Sequence, residues 1–356
     1  MNLYTLFIGN KSLIYDFFAI LFSSSLLFLF IIFIIKNKIS QDKINIQQIH
    51  TGNSTRYGGI VFVIIFIGIV FFKNNLENNF TFLIILYGLP FIFFTLLEDL
   101  FQNINPSIRL ITLLISSFLM CSLGLKNLPI IEIPFIDNFI NSPTISILFY
   151  TIALTAYING VNFIDGTNGL AGFSILVSTL CLLFLSLLTQ DIYIAKITIF
   201  LIAIILSFLI FNFPFGKIFL GDLGAYFLGW TVGSVTIFFM SRNPDVLNWC
   251  AVIILSYPIT EVVFSVIRKI YESKNPTYPD RQHLHLKLFF TLNKKISDKT
   301  AANSLVTPFL SLIWLTPLVL IPWIYDNKIL IILSVFLQAF IYFSFYAIIP
   351  AEKKDW

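Results

Sequence analysis

Residues 192–212 read IYIAKITIFLIAIILSFLIFN, with Lys196 as the single charge. A helix rises 1.5 Å per residue, so about 20 such residues cross a bilayer core of about 30 Å. A polar break follows, Asn212-Phe213-Pro214-Phe215-Gly216-Lys217-Ile218-Phe219-Leu220-Gly221-Asp222, and it runs into another apolar stretch near 218–240. Working outward, similar runs occur near 17–35, 57–73, 80–97, 108–125, 144–160, 168–189, 246–268, 304–324 and 327–349. With the two already described they make eleven, so the expected fold is all-α and polytopic, an integral membrane protein with about eleven transmembrane helices.

Composition supports the same class. Of 356 residues, 58% are hydrophobic and 11% charged, and the mean hydropathy is +0.90. Soluble domains carry roughly 25% charged residues, so an ordinary soluble enzyme is excluded. Disorder is excluded by the same apolar excess. A net charge of +4 is too small to imply a nucleic-acid partner. Cys121, Cys181 and Cys250 lie in or beside apolar runs without paired spacing or a nearby histidine, so packing is expected rather than a disulfide or zinc site. The first run lacks a small-residue cleavage site and reads as a retained span.

Basic residues set the expected orientation. With the C-terminus cytoplasmic, 16 of the 22 Lys and Arg residues fall in cytoplasmic segments. The sequence therefore predicts an outside N-terminus and a cytoplasmic C-terminus. It also predicts one transmembrane domain over 1–356, whose cytoplasmic loops 36–56, 98–108, 159–169, 212–222 and 269–303 form the active site. Acids on the other side, Glu77, Glu132, Asp137, Asp191, Asp245 and Asp326, are scattered and without company.

Each cytoplasmic loop holds a compact polar group beside glycine or proline. The first runs from His50 to Gly59, where Arg56 can fork onto a phosphate and Gly58-Gly59 free the backbone to approach a ligand. A basic interface anchor is the plainer explanation. The second is Glu98-Asp99 with Arg109 ten residues on; adjacent acids can bind Mg²⁺, take a proton or stay solvated. In the third, Asn159, Asn162, Asp165 and Asn168 recur every three residues, which on a helical or tightly turned segment puts them on one side. In the fourth, Asp222 stands between Gly221 and Gly224 with Lys217 nearby. An N-cap and a Mg²⁺ ligand explain that aspartate equally well. The fifth is Arg281-Gln282-His283-Leu284-His285, which contains two of the chain's three histidines. Without a third ligand the pair is a poor zinc site, and phosphate contact is expected. Acids for a hard cation, bases for phosphate and amides for a sugar or base fit an enzyme joining a soluble phosphorylated substrate to a lipid phosphate.

These five groups, in this order over about residues 50–285, resemble the polyprenyl-phosphate N-acetylhexosamine-1-phosphate transferases, a family that includes the enzyme making the first lipid intermediate of peptidoglycan. Pro258-Ile259-Thr260-Glu261 with Arg268 looks like a sixth match, to a Pro-x-x-Asp element followed by Arg. The resemblance implies transfer of a sugar-1-phosphate from a UDP-sugar to undecaprenyl phosphate with release of UMP, at the cytoplasmic face of a bacterial inner membrane. It implies that Glu98 and Asp99 serve the lipid phosphate and that Asn162 and Asp165, with Asn159 and Asn168, serve the nucleotide-sugar. Asp222 would bind Mg²⁺, with Mn²⁺ as the alternative ion. His50, Arg56, Lys217, Arg281, His283 and His285 would contact substrate phosphates. The partners implied are the two substrates and membrane lipids, and an apolar lipid face is compatible with a homodimer.

The departures refine this. Glu98 stands where many members have Asp, Asn168 where a second loop aspartate is common, and Asn53 and Thr55 where prolines are. Leu286 replaces a further histidine. That points to the branch initiating O-antigen or other lipid-linked glycans, rather than to the phospho-MurNAc-pentapeptide branch. A secondary transporter or flippase is the alternative from another class. It would place ionisable groups at the bilayer midplane, whereas here only Glu261 lies well inside a span.

Overall fold

The computed structural model describes residues 11–36, 56–72, 80–133, 137–138, 142–274 and 281–350. His50, Asn53, Thr55 and most of loop 36–56 therefore lie outside the described residues.

Each of the eleven apolar runs has a helical counterpart. They are α1 (Lys11–Lys36), α2 (Gly58–Phe72), α3 (Phe80–Phe101), α4 (Pro106–Leu119, extended by a π turn Met120–Gly124), α5 (Pro143–Ile164), α6 (Leu170–Leu188), α7 (Ile192–Asn212) and α8 (Gly221–Arg242). Then follow α9 (Trp249–Ile254) and α10 (Ser256–Tyr271), the amphipathic α11 (Leu284–Asn293), α12 (Lys299–Phe309), α13 (Ser311–Trp314), α14 (Thr316–Ile324) and α15 (Lys328–Ile348). Among the described residues nine helical segments are long and apolar enough to cross a membrane, Lys299–Ile324 counting as one. No strand occurs among them. The protein is an all-α polytopic membrane protein.

Two expected spans are broken, and proline is the cause in each. Pro258 has no N–H for the carbonyl of Ile254, where the 246–268 run splits into α9 and α10. Ser178 Oγ, from α6, donates to that carbonyl instead at 2.9 Å. Pro317 likewise leaves the carbonyl of Ile313 free between α13 and α14, and Gln338 Nε2 from α15 fills it at 2.7 Å. In a medium without water each freed carbonyl needs such a partner.

The centre of the bundle is α8, which packs on α5, α3, α2 and α6. Trp230 is fully buried on it and donates Nε1–H to the carbonyl of Ile84 at 2.9 Å. At its start, a Cβ on Gly59 would come within 2.3 Å of the Gly224 amide nitrogen, so α2 and α8 touch backbone to backbone. At the opposite end of the bundle two of the scattered acids, Asp191 and Glu132, are partnered. Asp191 caps α7 and takes hydrogen bonds from Arg242 Nε at 2.9 Å and from Asn243. Glu132 accepts from the Asn248 amide and faces Lys328. These pairs tie loops together at the end away from the Glu98–Asp99 and Gly221–Asp222 segments.

Candidate functional site

The N-terminus of α8 organises the site. Asp99, near the C-terminal end of α3, sends both carboxylate oxygens to it. Oδ1 accepts from the Asp222 amide at 2.9 Å and Oδ2 from the Leu223 amide at 3.0 Å. The first-turn amides of a helix have no partner within it, so an aspartate 123 residues away supplies the cap that was one of the two explanations for Asp222. Asp99 is buried, at 7% exposure. It is not solvated, and each of its oxygens accepts one backbone amide.

Gly221 completes the turn with φ +71°, a left-handed conformation that favours glycine. A Cβ there would lie 2.1 Å from the Arg56 carbonyl oxygen and 2.8 Å from Asp99 Oδ2. Beside it the α2 amides of Gly58 and Gly59 donate to the carbonyls of Phe219 and Leu220 at 3.0 and 2.9 Å. The Arg56–Gly59, Glu98–Asp99 and Gly221–Asp222 segments are thus one junction. Glu98 is half-buried, and its Oε2 accepts from the Ile104 amide at 2.7 Å, closing the turn into α4.

Asp222 points its carboxylate at Arg109, which forms an ion pair with it. The separation of Arg109 from Asp222 along the chain hides this pairing from the sequence. The charges of Arg56 and Arg109 both act on Asp99, and Arg56 acts on Asp165 as well. Burial raises the Asp165 pKa to about 7 against the opposing pull of Arg56. Tyr226, one helical turn beyond Asp222, hydrogen-bonds the Asn162 side chain. Nothing in the sequence marks Tyr226, which sits inside an apolar run.

The expected common face of Asn159, Asn162, Asp165 and Asn168 is not formed. Residues three apart share a face only while the helix continues, and α5 ends at Ile164. Asn159 donates to the carbonyl of Thr155 within its own helix. Asn168 is 2% exposed, and its side-chain amide donates to the Pro214 carbonyl and to Ser304 Oγ, both at 2.9 Å. Its backbone amide goes to Asn303 Oδ1 at 2.7 Å and its carbonyl accepts from Thr307. Asn168 is a staple between two loops and α12. Asn162 and Asp165 remain with the acids and arginines.

The histidine element reaches the same turn from the other side. A Cβ on Gly166 would lie 2.2 Å from His285 Nε2, and the His283 ring packs on Phe163 with centroids 5.0 Å apart. Burial lowers the His285 pKa to about 3, so that ring is neutral at pH 7 and can act by hydrogen bonding but not as a cation. His283 Nδ1 lies 2.9 Å from Glu261 Oε1. Arg281 lies over the Phe290 ring, and Lys217 is exposed beside Phe215.

Among the described residues no group of three His, Cys, Asp or Glu side chains could hold a metal ion by itself. Mg²⁺ does not need such a cage, because it keeps waters and binds through one or two carboxylates together with substrate phosphates. Asp222, which faces Arg109, and Asp165, at the turn after α5, are carboxylates of the kind that fit an ion shared in that way.

Residues 81–240 match the family described as "Glycosyl transferase family 4". A relative from Bacillus subtilis (strain 168), "Probable undecaprenyl-phosphate N-acetylglucosaminyl 1-phosphate transferase", is 27% identical over 262 residues, 70% of each chain. The "Undecaprenyl-phosphate alpha-N-acetylglucosaminyl 1-phosphate transferase" of Thermotoga maritima is 28% identical over 63% of this chain and 65% of its own length. A "Phospho-N-acetylmuramoyl-pentapeptide-transferase" of Streptococcus pneumoniae (strain G54) is 28% identical over 54% of this chain and 61% of its own. The family segment contains Asp99, Arg109, Asn162, Asp165 and Asp222, whereas Arg56, Glu261, His283 and His285 lie outside it.

Proposed function

We propose that the chain transfers an N-acetylhexosamine 1-phosphate from a UDP-sugar to undecaprenyl phosphate, releasing UMP. The observation that carries this reading is the junction at the N-terminus of α8, where Asp99, Asp222, Arg109 and Arg56 meet beside Asp165. The names of the two relatives matched over the greater lengths support the acceptor and the sugar. The pentapeptide transferase activity is the second reading, supported by a shorter match.

In the proposed reaction an oxygen of the lipid phosphate attacks the β-phosphorus of the UDP-sugar. One bond forms from that oxygen to phosphorus, and the anhydride bond to the α-phosphate oxygen breaks, so UMP leaves with the electron pair. The attacking oxygen is already ionised at neutral pH and needs little base assistance. When bound, Mg²⁺ would neutralise charge on the transferring phosphates. Arg56 and Arg281 hold phosphate charge, and Asn162, oriented by Tyr226, faces the nucleotide-sugar. Asp222 and Asp165 are the residues that would hold the ion, and Asp99 keeps Asp222 in place through its amide. The basic-residue distribution supports a cytoplasmic site in a bacterial inner membrane.

The test is UMP release by the purified full-length chain with undecaprenyl phosphate and a panel of UDP-HexNAc donors at varied Mg²⁺. The expected outcome is Mg²⁺-dependent release with UDP-GlcNAc among the accepted donors. Asp222→Ala is expected to lower turnover by about 10²-fold or more while the protein stays folded. Normal turnover by that variant would sink the metal assignment.

A further inference from the structure

Glu261, on α10, is 1% exposed, and both of its carboxylate oxygens are occupied. Oε1 meets His283 Nδ1, and Oε2 accepts the Tyr342 hydroxyl of α15, each at 2.9 Å. A parallel tie joins α11 to the same helix, with Lys287 Nζ donating to the Tyr346 carbonyl at 2.7 Å and standing 3.7 Å from the Tyr346 ring centroid. At the far end the His283 ring rests on Phe163, and His285 touches Gly166. A continuous line of contacts therefore runs from the last helix through Glu261 to the turn that carries Asp165.

Helix packing alone gives no reason for this arrangement. Burying a carboxylate beside an imidazole costs more desolvation than apolar residues of similar volume would, so packing favours the apolar choice. What the polar triad supplies is direction. A carboxylate with both oxygens bonded fixes the azimuth of the histidine ring, which an apolar contact leaves open. We propose that Glu261, held by Tyr342, is a positioning residue for the nucleotide-sugar. It locks His283, and with it the Arg281–His285 loop, against the Asn162–Asp165 turn. The donor-binding role of that loop rests on the function proposed above. On this proposal α15, outside the family segment, is part of the donor site.

The test uses the full-length chain in detergent with undecaprenyl phosphate, UDP-GlcNAc and Mg²⁺, comparing Tyr342→Phe, Glu261→Gln and His283→Asn. Removing one hydrogen bond to a buried charge from Tyr342 is expected to raise the donor KM about five- to ten-fold. The kcat and the lipid-phosphate KM are expected to stay within about twofold, and the effect should vanish in the His283→Asn background. Hydrogen exchange over residues 281–293 is expected to quicken about ten-fold in Glu261→Gln. A donor KM unchanged in both variants, or a Tyr342→Phe effect that persists without His283, would overturn the proposal. If the unaltered chain releases no UMP from any donor, the proposed function fails. Exchange then decides the positioning role alone, and an unchanged rate over 281–293 refutes it.

Discussion

Replacing Asp99 by asparagine separates two roles that an acid at this position can play. The carboxylate accepts from two amides of α8, those of Asp222 and Leu223, at 2.9 and 3.0 Å, and it is buried. Asparagine keeps the shape but has one acceptor oxygen, so its NH₂ group must face an amide N–H. One hydrogen bond is lost, the other loses its charge, and a buried donor is left without a partner. Hydrogen bonds to charged groups are worth about 1.5–3 kcal/mol and an orphaned buried donor costs about 1–3 kcal/mol. The amide can turn and relax, so the expected loss is about 2–4 kcal/mol. The assay is thermal melting of the purified chain beside UMP release. A fall of several degrees is expected, with turnover reduced because the Asp222 turn loosens. If Asp99→Asn melts within a degree of the parent but loses turnover by 10²-fold or more, Asp99 acts on the substrate directly and the capping argument is refuted.

The Asp165 carboxyl, with its pKa raised from 3.8 to about 7, gives a pH prediction with a definite sign. Its neutral form is favoured by the fold, so the stability it contributes is complete below about 3.8 and is lost as pH rises through about 7. Asp165→Asn is therefore expected to gain stability relative to the parent across that window, measured by melting at pH 4, 6 and 8. UMP release that needs the ionised carboxylate should fall as pH drops below about 7, and the variant should lack that limb. Asn168→Ala removes two side-chain hydrogen bonds from a buried loop staple and is expected to cost about 1–3 kcal/mol of stability. The donor KM of the folded Asn168→Ala protein should stay within about twofold of the parent, and a tenfold rise would restore Asn168 to the substrate-binding residues.

How far the sequence could be read depended on the range of the interaction. The spans were legible because a bilayer forces about 20 apolar residues into each helix, whatever the helix packs against. The breaks at Ile254 and Ile313 follow from prolines four residues on, but Ser178 and Gln338, which satisfy the freed carbonyls, cannot be inferred from local pattern. The common face expected of Asn159, Asn162, Asp165 and Asn168 does not form because a three-residue spacing carries meaning only inside a continuing helix, and α5 stops at Ile164. The acids at the other end looked solitary because Arg242 and Lys328 lie far along the chain from Asp191 and Glu132.

By itself the sequence determined the class of protein, the positions of its apolar segments and the loops where its scarce polar residues gather. Hydropathy and the clustering of scarce polar residues are properties of neighbours along the chain. Only the tertiary structure decided what each polar group does. Asp99 became the cap of a distant helix, Arg109 the partner of Asp222, and Glu261 the partner of a histidine and a tyrosine from two other elements. Those assignments depend on which buried donors and acceptors meet. In an interior without water every such group needs a partner, and the partner is chosen by the packing of helices.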